Sequence, residues 1–286
     1  MNLYSRIDEY QALIDVLRPF EGDMLKQLKN YYRIGLTWSS NALEGNTLTE
    51  SETKVVLEDG LTIGGHPLRE IYEAVGHGEA YNHMFSLLHD RRISTSDIKA
   101  LHQLFYKAID TKNAGIWRMQ QIIVSGSNYA FPQPHILEKE MQGLEKWISL
   151  ERDNYHPVEF AALLHLKFVS IHPFIDGNGR VARLLMNLSL IQDGYLLAII
   201  PPICRSEYNN TVRQYQNKNN AVPFCEFIAE RVLESEKEIM RLFHVSTDKI
   251  KTHADQCGES LNGFVNRAID ETMERDGGEN KKGNQS

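Results

Sequence analysis

Apolar positions recur along most of the chain with the 3.6-residue period of helices, not the alternation of strands. Leu13, Ile14 and Leu17 mark an amphipathic stretch that ends near Pro19. A second runs over 24–43 and stops at Gly45–Asn46, a helix C-terminal signal. Helical spacing returns over 69–88, 96–109, 136–150, 157–171, 178–192, 205–216 and 223–243. Ser94 or Ser96 is placed to cap the second of these. One stretch breaks the pattern. In QIIVSGSNYAF, two β-prone arms, 122–124 and 129–131, flank Gly126 and Asn128 and predict a short hairpin. The expected fold class is therefore all-α, a helical bundle with one small β-hairpin.

Composition narrows the function classes. The chain has 286 residues, 42% hydrophobic and 24% charged, as in globular proteins with a substantial core. With 31 Lys and Arg against 38 Asp and Glu, the formal net charge is −7, so general affinity for nucleic acid is not expected. Cys204, Cys225 and Cys257 are scattered and form no CxxC pair, which indicates neither a disulfide framework nor a zinc site. The first residues, MNLYSRIDEY, lack an apolar signal region, and no apolar run approaches the length of a membrane span. A cytoplasmic setting without membrane attachment is the expectation. The end of the chain, GGENKKGNQS, has the composition of a disordered tail.

The chemistry concentrates in HPFIDGNGRVAR, residues 172–183. The helix over 157–171 ends at His172, where Pro173 discourages continuation. Asp176, Gly177, Asn178 and Gly179 make a turn, and a new helix follows with Val181, Leu184, Leu185 and Leu188 on one face. Glycines ahead of a helix N-terminus let backbone N–H groups face an anion, and Asn178 can add a side-chain donor. Arg180 and Arg183, three apart, share a face in the first turns, where the helix dipole disfavours cations. A bound polyphosphate resolves that conflict. Asp176 suits a divalent ion bridging phosphate oxygens, and His172 suits proton removal from an attacking hydroxyl. Singly, these residues have plainer readings: a capping histidine, a turn aspartate, surface arginines. Together in twelve residues they point to phosphoryl or nucleotidyl transfer. A zinc site shared by His165 and His172 fails, because seven helical residues put them about 10 Å apart.

This stretch resembles the signature of Fic-domain proteins, HPFxDGNGRxxR, at every fixed position. The resemblance extends over roughly 30–245 and implies the Fic fold, with transfer of AMP from ATP to a hydroxyl side chain of a target protein. It implies that His172 deprotonates that hydroxyl and that Asp176 binds magnesium. Gly177, Asn178 and Gly179 would hold the α- and β-phosphates, Arg180 a phosphate, and Arg183 the γ-phosphate. The predicted hairpin is similar to the family's flap, with Val124, Ser125, Gly126 and Ser127 positioning the target by strand-like pairing. RSEYNNTVRQYQN resembles the helix that borders adenine. Tyr208 would stack on the base, and Gln216 stands where relatives often carry asparagine.

SSNALEGN, 39–46, is similar to the family's inhibitory motif [S/T]xxxE[G/N] through Ser40, Glu44 and Gly45, and its place ahead of the core resembles class II members. Ser40 and Glu44 are i and i+4 on one face. Glu44 at a helix C-terminus and Arg183 near a helix N-terminus each oppose the local dipole, so a bidentate pair between them is expected. Such a pair would keep Arg183 from the γ-phosphate. In some relatives the same glutamate orients water for AMP removal, so the resemblance admits a second activity.

The segment 246–276 reads as two helices split at Gly258, with Ser260 as a cap and Leu261, Phe264, Ala268 and Met273 near one face. It resembles the helical half of ribbon-helix-helix repressors without the DNA-reading strand, which favours helix-mediated homodimerisation over base readout. The expected organisation is an N-terminal helical region over 1–60, a catalytic core over 61–245 and a tail over 246–286. The expected function is a magnesium-dependent protein adenylyltransferase, acting on Ser, Thr or Tyr of targets and of itself, restrained by Glu44. Rival expectations are transfer of UMP, phosphocholine or phosphate on the same fold, or DNA-linked regulation through the tail. The phosphate-transferring branch carries a lysine at the position of Gly179.

Overall fold

The computed structural model describes residues 2–243, apart from 16, 17, 19, 89 and 125–127, together with the single residues Gln256, Gly258 and Arg267. The tail reading over 246–276, including Cys257 and Ser260, lies otherwise outside the described residues, as do Leu17 and Pro19. Cys204 and Cys225 are free thiols.

The described chain is all-α, with ten α-helices: α1 (Leu3–Asp15), α2 (Gly22–Ala42), α3 (Glu50–Glu58), α4 (Leu68–Met84), α5 (Thr95–Tyr106), α6 (Leu137–Glu151), α7 (Pro157–Ile171), α8 (Asn178–Gln192), α9 (Arg205–Lys218) and α10 (Val222–Leu242). They form two compact units, 23–232 and the union of 1–22 with 233–286. In the second unit, Phe20 stacks on Phe243 at 5.7 Å, and the fully buried Glu236 is pushed up to about 9 by burial and by Asp8 and Asp15.

The larger unit is built on the neighbours α7 and α8, whose side chains are buried almost along their whole length. Both helices occupy the residues their sequence pattern predicts. Pro157 sits at the first position of α7, where its missing N–H leaves no bond unmade, and the His156 side chain accepts from the Val158 N–H at 3.2 Å. α5 begins at a capping box made by Ser94 and Asp97, so Ser94 is the cap.

Three expectations change. The first helix starts at Leu3, ten residues before the stretch marked by Leu13, because Ile7 also faces the core. α3 was not anticipated, although Thr49 and Glu52 form a complete capping box that its sequence spells out. It packs Val56 and Leu48 on Ile71 and Ala74 of α4. The predicted hairpin carries no strand pairing among the described residues. An isolated two-stranded ribbon is marginal in water. Here its arms are joined by side chains instead, with Gln121 Nε2 donating to the Phe131 carbonyl at 3.1 Å.

Candidate active site

His172 closes α7 in a left-handed conformation, φ 53 and ψ 58. A non-glycine residue there is strained by about 1–3 kcal/mol, and the surroundings hold it in place. Its N–H donates to the Phe168 carbonyl at 3.0 Å. Its imidazole Nδ1 lies 3.2 Å from the Val169 carbonyl. A carbonyl only accepts, so Nδ1 carries the proton and Nε2 is left as the acceptor. Burial, with Arg118 nearby, pulls the histidine down to about 4, so it is neutral at pH 7. Phe131 packs on the ring at 4.8 Å.

The loop after His172 is braced from inside. Phe174 is buried and stacks on His102 with centroids 3.6 Å apart. The Phe174 N–H donates to Asn178 Oδ1 at 2.9 Å, and Asn178 Nδ2 donates to the Phe174 carbonyl at 2.8 Å. The side-chain amide of Asn178, expected to face an anion, is therefore engaged in the loop itself. His102 Nδ1 accepts from the Gly115 N–H, so its Nε2–H donates to the Asp176 carbonyl at 3.0 Å. Gly177 has φ 82, and a Cβ there would lie 2.8 Å from Phe105, so glycine is required twice over.

Asp176 stands at the surface side of the loop. Oδ2 pairs with Arg69 at 2.7 Å, while Oδ1 accepts from the Gly177 N–H at 2.6 Å and faces Arg180 at 3.4 Å. Among the described residues no three His, Cys, Asp or Glu side chains gather as a metal cage. A single half-exposed carboxylate beside a glycine turn fits magnesium that brings its own phosphate oxygens and water, which is how that ion commonly binds with nucleotides.

The two arginines are buried. Arg180 pairs with Glu73 at 3.2 Å, reaches Asn41 Oδ1 at 3.4 Å and lies over the Phe105 ring at 4.5 Å. Arg183, 1% exposed, is surrounded by acceptors. Its Nε donates to Ser40 Oγ at 2.8 Å, its NH2 to the Ser40 carbonyl at 2.9 Å and to Glu44 Oε1 at 2.8 Å, and its NH1 to the Tyr208 hydroxyl at 3.0 Å. The pair with Glu44 exists, but through one carboxylate oxygen and not two, with Nε turned to Ser40 and NH1 to Tyr208. Burial alone would raise the Glu44 carboxyl; Arg183 and Arg180 outweigh it and hold it below the usual range. The Glu44 side chain keeps 37% of its surface exposed, facing a cavity where water screens that attraction.

The cavity measures about 240 Å³ and is lined by His172, Gly179, Glu44, Phe131, Tyr208 and Gln216 among others. Tyr208 and Gln216, anticipated from sequence, thus reach it, as does Val124 at the base of the predicted flap. Ser125, Gly126 and Ser127 lie outside the described residues. Tyr208 is engaged more deeply than a stacking role requires: its hydroxyl accepts from Arg183 and donates to His165 Nε2 at 3.0 Å.

Two residues that matter here carry no obvious sequence signal. Arg118, buried, donates from Nε to the His172 carbonyl at 2.9 Å and from NH1 and NH2 to the carbonyls of Gln120 and Pro132 at 3.0 and 2.6 Å. Glu73 pairs with Arg180 and Arg69 and accepts from Asn46 Nδ2 at 3.0 Å, which ties the end of α2 to α4.

His172, with Nε2 as acceptor, and Gly179 of the turn that opens α8 line one cavity, and the buried Arg183 reaches its wall through Glu44 and Tyr208, an arrangement suited to handling phosphate. Residues 92–190 match the Fic/DOC family, and the chain belongs to that family. It is 39% identical over 195 residues to protein adenylyltransferase Fic of Drosophila grimshawi, covering 68% of this chain and 40% of that protein. It is 35% identical over 228 residues to the protein of the same name from Drosophila mojavensis, covering 79% of this chain and 45% of that one. The chain thus spans less than half the length of these relatives. Among solved structures it resembles Fic-1 of C. elegans (residues 134–508), with TM-score 0.76, 26% identity and coverage of 86% of this chain and 73% of that one. A Fic-domain signalling protein of Bacteroides thetaiotaomicron matches with TM-score 0.74 and 28% identity, covering 82% of this chain and 95% of that one.

Proposed function

We propose that the protein is an adenylyltransferase that moves AMP from ATP to a hydroxyl side chain of a protein target, and that Glu44 holds it in check. The observation that carries the reading is the state of His172: neutral, with Nδ1–H engaged by Val169 and Nε2 left as the proton acceptor in the cavity. The target oxygen attacks the α-phosphorus, an O–P bond forms, and the bridging bond to the β-phosphate breaks. Pyrophosphate leaves and the hydroxyl proton goes to His172 Nε2. The first N–H groups of α8, in a turn where Gly177 and Gly179 carry no Cβ, supply donors to phosphate oxygens once Glu44 has moved. Asp176 is the residue that would hold magnesium, which when bound neutralises phosphate charge. Arg69 on Oδ2 would share that carboxylate with the ion.

Glu44 supports the inhibited reading because it occupies the guanidinium that a γ-phosphate would need. A Cβ at Gly179 would overlap Glu44 Oε1, so the carboxylate also lies against the turn that would hold phosphates. The ionised state of Glu44 beside His172 favours a second reading, in which the same carboxylate orients water to remove AMP from a modified target. The test is incubation with labelled ATP, with mass spectrometry of the product to separate AMP from UMP, phosphate or phosphocholine. A Glu44→Gly protein that attaches no AMP to itself or to any protein in a lysate rejects the reading.

A further inference from the structure

A second cavity of about 360 Å³ adjoins the first and plays no part in the chemistry above. Gln216 lines both. The segment 129–132 forms a wall between them: Phe131 lines the cavity of His172, whereas Tyr129 and Pro132 line the second. That segment leads out of the predicted flap. A target strand laid along the flap with its hydroxyl at His172 therefore runs beside the mouth of the second cavity.

The chemistry of this cavity is that of a receptor for an anion. Lys167 lines it, half-buried on α7, with Nζ 4.7 Å from the centroid of Trp147. Among the described residues Lys167 makes no hydrogen bond or ion pair. Burial lowers its affinity for a proton, and Glu151 is the carboxylate that offsets this. Trp147 is itself fixed by stacking on Phe160 at 4.9 Å and 7°. A cation held against an aromatic ring, short of a carboxylate, gains from an incoming one. Tyr215, Asn219 and Ser170 add polar groups to the walls, and the buried Ser170 hydroxyl has no hydrogen-bond partner among the described residues. Glu140 also lines the cavity, but its charge acts on Tyr129 at the flap side, not on Lys167.

We propose that this cavity is a specificity pocket that takes an acidic side chain of the target, a few residues from the modified hydroxyl, and that Lys167 is its specificity-determining residue. The inference rests on the proposed transfer to protein hydroxyls. At about 3.3 Å of strand per residue, a side chain within about four positions of the hydroxyl reaches it.

The test separates the pocket from the chemistry. Fluorescent peptides carry alanine in place of the hydroxyl residue and Glu, Gln or Lys at each of four positions on either side. Binding is followed by anisotropy on the full chain in the Glu44→Gly background, and needs no turnover. At one or two positions the Glu peptide should bind roughly fivefold to tenfold more tightly than the Lys peptide, the range of a charge-assisted bond discounted for water. Lys167→Gln should flatten the preference, and Lys167→Glu should invert it. Inversion is a result that a merely structural lysine would not produce, and circular dichroism melts establish that each variant is folded. Equal binding of Glu and Lys peptides at every position, or a preference that survives Lys167→Glu, overturns the proposal. So does a Lys167-dependent change of Trp147 emission with free glutamate and none with peptides, which would make this a small-metabolite site. Matching threonine peptides then report AMP transfer; absence of transfer with the binding preference intact counts against the enzymatic reading and not against the pocket.

Discussion

The loop 172–178 and the segment 119–133 are neighbours anchored by the same residue, Arg118, and they are built on opposite principles. In the loop nearly every polar group has a partner: Asn178 closes on Phe174 from both sides, His102 holds the Asp176 carbonyl, and His172 is fixed through Nδ1. In the other segment Met119 and Ile123 are 89% and 94% exposed, and no strand pairing is present among the described residues. The proposed chemistry at a phosphorus needs groups held to fractions of an ångström, which the stapled loop provides. The proposed recognition of a target strand needs accessible apolar side chains, which Met119 and Ile123 offer.

The largest expected effect breaks the stapled side. His172→Ala should lower AMP transfer by about 10²–10⁴-fold while ATP binding, followed by calorimetry, stays close to the parent in the Glu44→Gly background. Wild-type transfer in that variant would remove the base from the mechanism. Next comes the restraint itself. Glu44→Gly should raise self-modification by roughly tenfold or more, the equivalent of a charge-assisted bond of about 1.5–3 kcal/mol. Adding Arg183→Ala should abolish the gain, and a double variant as active as Glu44→Gly would mean that another group is being blocked.

Stability separates the two regions further. Asn178→Ala leaves the buried Phe174 N–H and carbonyl without partners and should destabilise the protein by about 1–3 kcal/mol in denaturant titrations. Ile123→Thr should change stability by no more than about 0.5 kcal/mol, yet reduce transfer to a peptide target by up to about fivefold, the scale of one cross-strand pair. Equal destabilisation by both would erase the distinction. Acid adds a slower lever. His172 and His102 titrate near 4 and His77 near 3, all below the ordinary 6.5, through burial. Unfolded histidines bind protons first, so this contribution is complete above about 6.5 and is lost as pH falls towards 4. Glu236, pushed up to about 9, acts with the opposite sign and adds stability as pH falls through the same range. In a Glu236→Gln background, unfolding free energies should therefore decline from about pH 6.5 to 4.5, and a flat profile would show that these rings are not held neutral.

Much of the site was legible without coordinates because its determinants are local. A proline at the first position of α7, glycine at 177 and the apolar spacing of α8 act on dihedrals and near neighbours, and α7 and α8 lie where the pattern predicts them. α3 is equally local, since its capping box stands in the sequence, but its nine residues are too short to show a helical period. The arms of the hairpin lack strand pairing among the described residues for a non-local reason: β-prone arms do not pair alone without a third strand or a face to pack on.

What the sequence by itself determined is therefore the helical frame, the glycine turn and the set of groups suited to a nucleotide. What only the tertiary structure decided is how those groups are shared. Glu44 and Arg183 lie 139 residues apart, and their bond exists because α2 packs where α8 begins. The same packing turns Nε to Ser40 and NH1 to Tyr208, and an expected bidentate pair becomes a single contact. Arg118 and Glu73 acquire their roles in the same way. Propensity and spacing act over a few residues, whereas a buried guanidinium takes whatever acceptors the folded core brings to it, and no short-range pattern records which ones arrive.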